Sequence, residues 1–98
     1  MRYEIFIKDY LPTIRAMIAK NLINYGLTQQ EVANKLYLTQ PAIAFYKKNL
    51  RGKKIEELEK KEEIRNKVAE VAKKLITKNL KEDEVEKEYI DIFNLLKL

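Results

Sequence analysis

The chain has 98 residues, with 20 Lys or Arg against 15 Asp or Glu, a formal charge of +5 and an apolar content of 46%. That length makes one domain, or a small domain with an appended arm, and leaves enough apolar residues for a packed core. Cys, His, Trp and Ser are all absent, so disulfides, thiolate metal sites, the usual zinc ligands, the usual general base and the common nucleophiles are excluded.

No cofactor, metal or small-molecule ligand is therefore expected, and catalysis is not expected either. No apolar run approaches the roughly eighteen residues of a membrane span, and no signal peptide is visible. A cytoplasmic protein without a membrane partner is the expectation. Abundant Lys and Glu without Cys hint at a thermophile. Charge is uneven along the chain. Residues 1–54 hold ten Lys or Arg and three Asp or Glu, whereas residues 55–98 hold ten and twelve. A polyanion is the direct electrostatic partner for the first half.

In residues 1–9 two patterns compete. Tyr3, Ile5 and Ile7 alternate as in a strand, while Tyr3, Ile7 and Tyr10 fit a helix. A short helix or turn leading to Pro12 is favoured, with an edge strand as the alternative. Asp9 and Pro12 then mark a helix start. Leu11, Ile14, Ile18, Leu22 and Tyr25 repeat at helical spacing until Gly26, a C-cap candidate. Arg15 and Lys20 fall on the solvent side. Arg15 either meets a phosphate or is simply solvated.

Leu27 to Lys48 reads as two short helices with a tight turn. Thr28 and Glu31 form a T-x-x-E capping box, and Val32, Ala33 and Leu36 give the first helix an apolar face. Tyr37-Leu38 is a turn. Thr39 is a second N-cap, and Pro41 falls in the first turn after it, where a missing N–H costs nothing. Ile43 and Tyr46 face the first helix. Gln40, Ala42, Ala44, Phe45 and Lys48 face out. Phe45 either touches a thymine methyl or packs inward, and partial burial is slightly favoured. The pattern is that of a DNA-binding helix-turn-helix.

On these residues the chain resembles the Cro/repressor-type (Xre-like) helix-turn-helix domains. It is most similar to small archaeal predicted transcriptional regulators carrying LP-x-IRA-x-IA before the motif and VTQ-x-A(I/V) within it. Here those blocks read Leu11-Pro12-Thr13-Ile14-Arg15-Ala16-Met17-Ile18-Ala19 and Leu38-Thr39-Gln40-Pro41-Ala42-Ile43. The similarity covers residues 9–54. It implies a compact all-helical DNA-binding domain in which Gln29 holds the DNA backbone and Gln40 reads a base. Two residues depart from the family pattern. Tyr37 stands where the turn usually has Gly, a position that favours φ > 0. Ala44 and Phe45 make the outward face less polar than usual.

Lys47-Lys48-Asn49-Leu50-Arg51-Gly52-Lys53-Lys54 packs five cations into eight residues. Directly after the second motif helix, it reads as a phosphate-binding loop rather than merely a solvated surface. Ile55 to Lys78 reads as one long helix or two, with Ile55 and Leu58 packing back on the first domain. Ile64, Val68, Val71 and Leu75 form a stripe. Glu82, Asp83 and Glu84 open a last helix, whose apolar face is Val85, Tyr89, Ile92, Phe93 and Leu96. The acidic run Glu82, Asp83, Glu84, Glu86, Glu88 and Asp91 reads as a solvated face.

The expected fold is all-α: a compact helix-turn-helix domain over 1–54 and two amphipathic helices over 55–98. The expected function is a transcriptional regulator that binds double-stranded DNA sequence-specifically, with a recognition helix at about 39–49. Gln40, Ala42, Ala44 and Phe45 would meet bases. Thr28, Gln29, Thr39, Lys47, Lys48, Arg51 and Lys53 would meet the backbone. Ile64, Val68, Val71, Leu75, Val85, Tyr89, Ile92 and Leu96 would join two copies in a homodimer. The alternative is a helix-turn-helix interaction module, such as an antitoxin or a transcription-machinery adaptor.

Overall fold

The computed structural model describes residues 2–48 and 53–98, with the Lys53 side chain left out. Among the described residues all regular structure is helical. None of these helices is long and apolar enough to cross a membrane.

Helix α1, Arg2–Ile5, continues through a π-turn, Phe6–Tyr10, into α2, Leu11–Asn24. The first residues are thus helical, and the edge strand does not form. The π-turn has a cause in the sequence. Pro12 has no N–H to donate, and its ring would crowd the carbonyl four residues back in a regular helix. Instead the Leu11 N–H reaches five residues back to the Phe6 carbonyl, which opens the backbone just before the ring. The shift also changes which side chains face in. Phe6 and Tyr10 are buried, whereas Tyr3 and Ile7 are 44% exposed.

Helix α2 is the centre of the molecule and packs against its neighbours on several sides. Leu11, Ile14, Ile18 and Leu22 are buried as their spacing predicts, and so are Ala16, Met17 and Ala19. Tyr25 is not part of this face. The helix ends at Asn24, and Tyr25 turns out to 59% exposure. Gly26 makes the turn at φ +104°. The Gly26 N–H donates to the Ile23 carbonyl at 2.9 Å and the Leu27 N–H to the Leu22 carbonyl at 3.2 Å. These two bonds are the Schellman closure that satisfies the last carbonyls of a helix.

Helices α3, Gln29–Leu36, and α4, Gln40–Lys48, pack on each other and on α2. The later helices are α5, Lys53–Glu59, α6, Glu62–Thr77, and α7, Glu82–Leu96. Residues 55–78 therefore form two helices, and Ile55 and Leu58 are buried against the rest of the core. Helix α6 lies along α2, and α7 lies on α6. The two ends of the chain meet where the Phe93 ring sits 5.2 Å from the rings of both Tyr3 and Phe6.

This packing corrects the expected dimer face. Ile64, Val68, Val71, Leu75, Val85, Tyr89, Ile92 and Leu96 are all buried within one chain, none more than 6% exposed. They belong to one cluster with Ile14, Ile18, Val32 and Ile43 from the first half. The stripe that lacked a partner in the sequence is covered by α2. The division at residue 54 accordingly separates two segments of one core.

The acidic face of α7 also needs correction at Glu88, which is buried. Lys74 Nζ donates to its Oε1 at 2.8 Å, and Lys67 Nζ lies 2.9 Å from its Oε2. Burial pushes this carboxyl up, and the two ammoniums pull it down by more, leaving it below its ordinary 4.5. The carboxylate thus clamps two turns of α6 onto α7.

Candidate nucleic-acid interface

Two capped helices make the candidate site. The Thr28 N–H donates to Glu31 Oε1 at 2.9 Å, and the Glu31 N–H donates to Thr28 Oγ1 at 3.1 Å, so the capping box is complete. The backbone and hydroxyl donors at Thr28 hold the Glu31 carboxyl below its ordinary value. The Ala42 N–H donates to Thr39 Oγ1 at 3.3 Å, which fixes the start of α4. The Thr39 hydroxyl accepts this bond and keeps its own proton to donate, whereas the Thr28 hydroxyl proton is engaged by Glu31. The Thr39 proton can meet a phosphate oxygen at the N-terminus of α4, where the peptide dipoles also favour an anion.

The turn between the helices is closed by Tyr37 at φ 58°, in the left-handed region that glycine usually occupies. The Leu38 N–H donates to the Ala33 carbonyl at 2.9 Å, and the Tyr37 N–H to the Asn34 carbonyl at 3.4 Å. The turn therefore keeps its ordinary geometry and is not remodelled for the bulky residue. The Tyr37 hydroxyl bonds to the Leu80 carbonyl, in the connection between α6 and α7.

Helix α4 divides cleanly between its two sides. Ile43 is 0% exposed and fixes the helix to α2 and α3, with Tyr46 half-buried beside it. Gln40 and Pro41 are exposed, and Ala42 and Ala44 are half-buried. Phe45 is 62% exposed, so the slight expectation of partial burial is corrected. Its ring meets the Tyr46 ring at 6.2 Å.

Lys47 and Lys48 are exposed at the C-terminal end of α4. There they also oppose the negative end of its dipole, which is a structural reason for their presence. Lys47 shares a groove of about 300 Å³ with Lys20, Ala16, Ala19, Ile23 and Asn24. Nothing in the sequence joined Lys20 to Lys47, because the two are brought together only by the packing of α4 on α2. Thr28 is exposed and Gln29 half-buried at the start of α3. Arg51 and the side chain of Lys53 lie outside the described residues.

Arg15 is not simply solvated. Its guanidinium lies 5.3 Å from the centroid of the Tyr89 ring, and its Nε is buried. Burial pushes the Tyr89 phenol up, against a smaller pull from Arg15. Lys54 is likewise held by the protein, 4.0 Å from the Tyr10 ring centroid. Both cations thus have a ring contact within the protein, and the Lys54 side chain stays 41% exposed. Among the described residues no three acidic side chains gather closely enough to hold a metal ion. In comparisons with family models, curated proteins and solved structures, the chain matches none.

Proposed function

We propose that the chain is a sequence-specific regulator that binds duplex DNA with α4 in the major groove. The observation that carries this reading is the division of α4. Ile43 anchors it from within, while Gln40 and Phe45 project from a well-capped helix beside exposed lysines. An α-helix fits the major groove, and its N-terminal residues reach base edges. Gln40 bonds an adenine edge through its amide. Thr28, Gln29 and Thr39 hold phosphates from two helix N-termini, and Lys47 and Lys48 neutralise the backbone further along.

The exposed ring of Phe45 also favours a second reading, a helix-turn-helix retained as a protein-interaction module. Titration of the full chain against labelled duplex at two salt concentrations separates them. DNA binding by the proposed route weakens steeply with salt, because each neutralised phosphate releases a counterion. Failure to bind any duplex at low salt would favour the interaction module.

A further inference from the structure

The outward strip of α4 is apolar over its first turns. Pro41 and Phe45 stand four residues apart, and Ala42 and Phe45 three apart, so the three share one face of the helix. Pro41 and Phe45 are exposed and Ala42 is half-buried. Gln40 lies on the flank of this face, five residues before Phe45, and Lys48 continues the face three residues after it. A guanine offers two acceptors in the major groove and is read best by Arg or Lys. The strip has neither from Gln40 to Phe45, and its first cation on this face is Lys48. An adenine suits the Gln40 amide. Thymine carries a 5-methyl group on its major-groove edge, an apolar group that an aromatic or aliphatic side chain can cover.

We propose that Phe45 is a specificity-determining residue that covers the 5-methyl group of a thymine, so that the preferred site is rich in A·T pairs where α4 enters. This assignment rests on the reading of α4 as a DNA-recognition helix. The lysines agree with it, since Lys48 at the end of the strip and Lys20 and Lys47 beside it supply positive charge for the DNA backbone. Covering one methyl group removes about one methylene equivalent of apolar surface from water, which corresponds to about a fourfold gain in affinity.

The test uses duplexes enriched by the full chain from a random library. Each thymine of the enriched site is replaced singly by uracil, which lacks only the methyl group. One position should lose about fourfold in affinity for the parent protein. Phe45→Ala should bind the thymine and uracil duplexes equally, and Phe45→Leu should keep part of the difference. Equal affinity of the parent protein for thymine and uracil duplexes at every position overturns the assignment while DNA recognition stands. Failure to enrich any duplex overturns the recognition reading itself, and the assignment with it. The uracil comparison on the parent protein decides the matter even if Phe45→Ala does not fold.

Discussion

The Tyr37 hydroxyl donates to the Leu80 carbonyl at 2.5 Å, a bond between residues 43 positions apart. It ties the turn of the two-helix motif to the connection between the last two helices. Tyr37 also adopts a left-handed backbone, which costs a residue with a side chain about 1–2 kcal/mol. The tie offsets part of that cost. Tyr37→Phe removes the bond and leaves the strain, so it should lower stability by up to about 1 kcal/mol, or several degrees in Tm. Tyr37→Gly removes both and should melt no lower than Tyr37→Phe. Thermal unfolding followed by circular dichroism distinguishes them, and a Tyr37→Phe protein that melts with the parent would show the tie to be idle.

Truncation after Lys54 should abolish folding. Ile14, Ile18, Val32 and Ile43 share a core with Leu58, Ile64, Val68, Val71 and Leu75, so the short chain loses the surface that covers α2. A chain of about 54 residues can bury little apolar area even when intact. The full chain should unfold in one cooperative transition, and the fragment should show none. A fragment that melts cooperatively with parent-like helicity would restore the two-unit description.

The Glu88 clamp gives a pH signature. Its carboxyl titrates below its ordinary 4.5 in the folded chain. Stability from this group is therefore present above the unfolded value and is lost as pH falls through the folded one. Between about pH 5 and pH 3 the parent should lose more stability than Glu88→Gln does. At neutral pH Glu88→Gln should be less stable by about 1–3 kcal/mol, because Lys67 and Lys74 lose a charged acceptor. Lys67 and Lys74 titrate above their ordinary 10.5. Their share of the clamp is present below that value and is lost only as pH rises through the raised ones. Parallel stability curves for parent and Glu88→Gln across the acid range would refute the clamp.

Lys47 and Lys48 should act on DNA affinity without acting on sequence choice. Each is exposed at the end of α4, on a long flexible stem suited to a phosphate. Lys48→Ala should weaken binding to enriched and random duplexes alike and lower the log–log salt slope by about one. An unchanged slope, with parent-like helicity and melting, would mean that Lys48 serves only the helix dipole and the surface.

Local signals in the sequence were legible where they rest on neighbours in the chain. The Thr28–Glu31 box, the Thr39 cap, the Pro41 position and the Gly26 turn each depend on residues within five positions, and each forms as expected. The misreadings have one physical source. Amphipathic spacing shows that Val68, Val71 and Leu75 need cover, but it does not name the cover, and α2 supplies it from the same chain. Charged residues are usually solvated, so the sequence points Arg15 to solvent or a phosphate and Glu88 to solvent. Their partners, Tyr89 for one and Lys67 with Lys74 for the other, sit on other helices. Phe6 was hidden by a register shift, since a π-turn rotates the face that a 3.6-residue period would assign.

Base reading by α4 through Gln40 is open to direct measurement by binding-site selection. The full chain and Gln40→Ala would each be taken through selection from the same random duplex library. The parent should enrich one motif. Gln40→Ala should bind that motif more weakly by about 1–3 kcal/mol and lose preference at one base pair per site, while the other positions persist. An unchanged motif for Gln40→Ala, or no enrichment by the parent, would contradict the account.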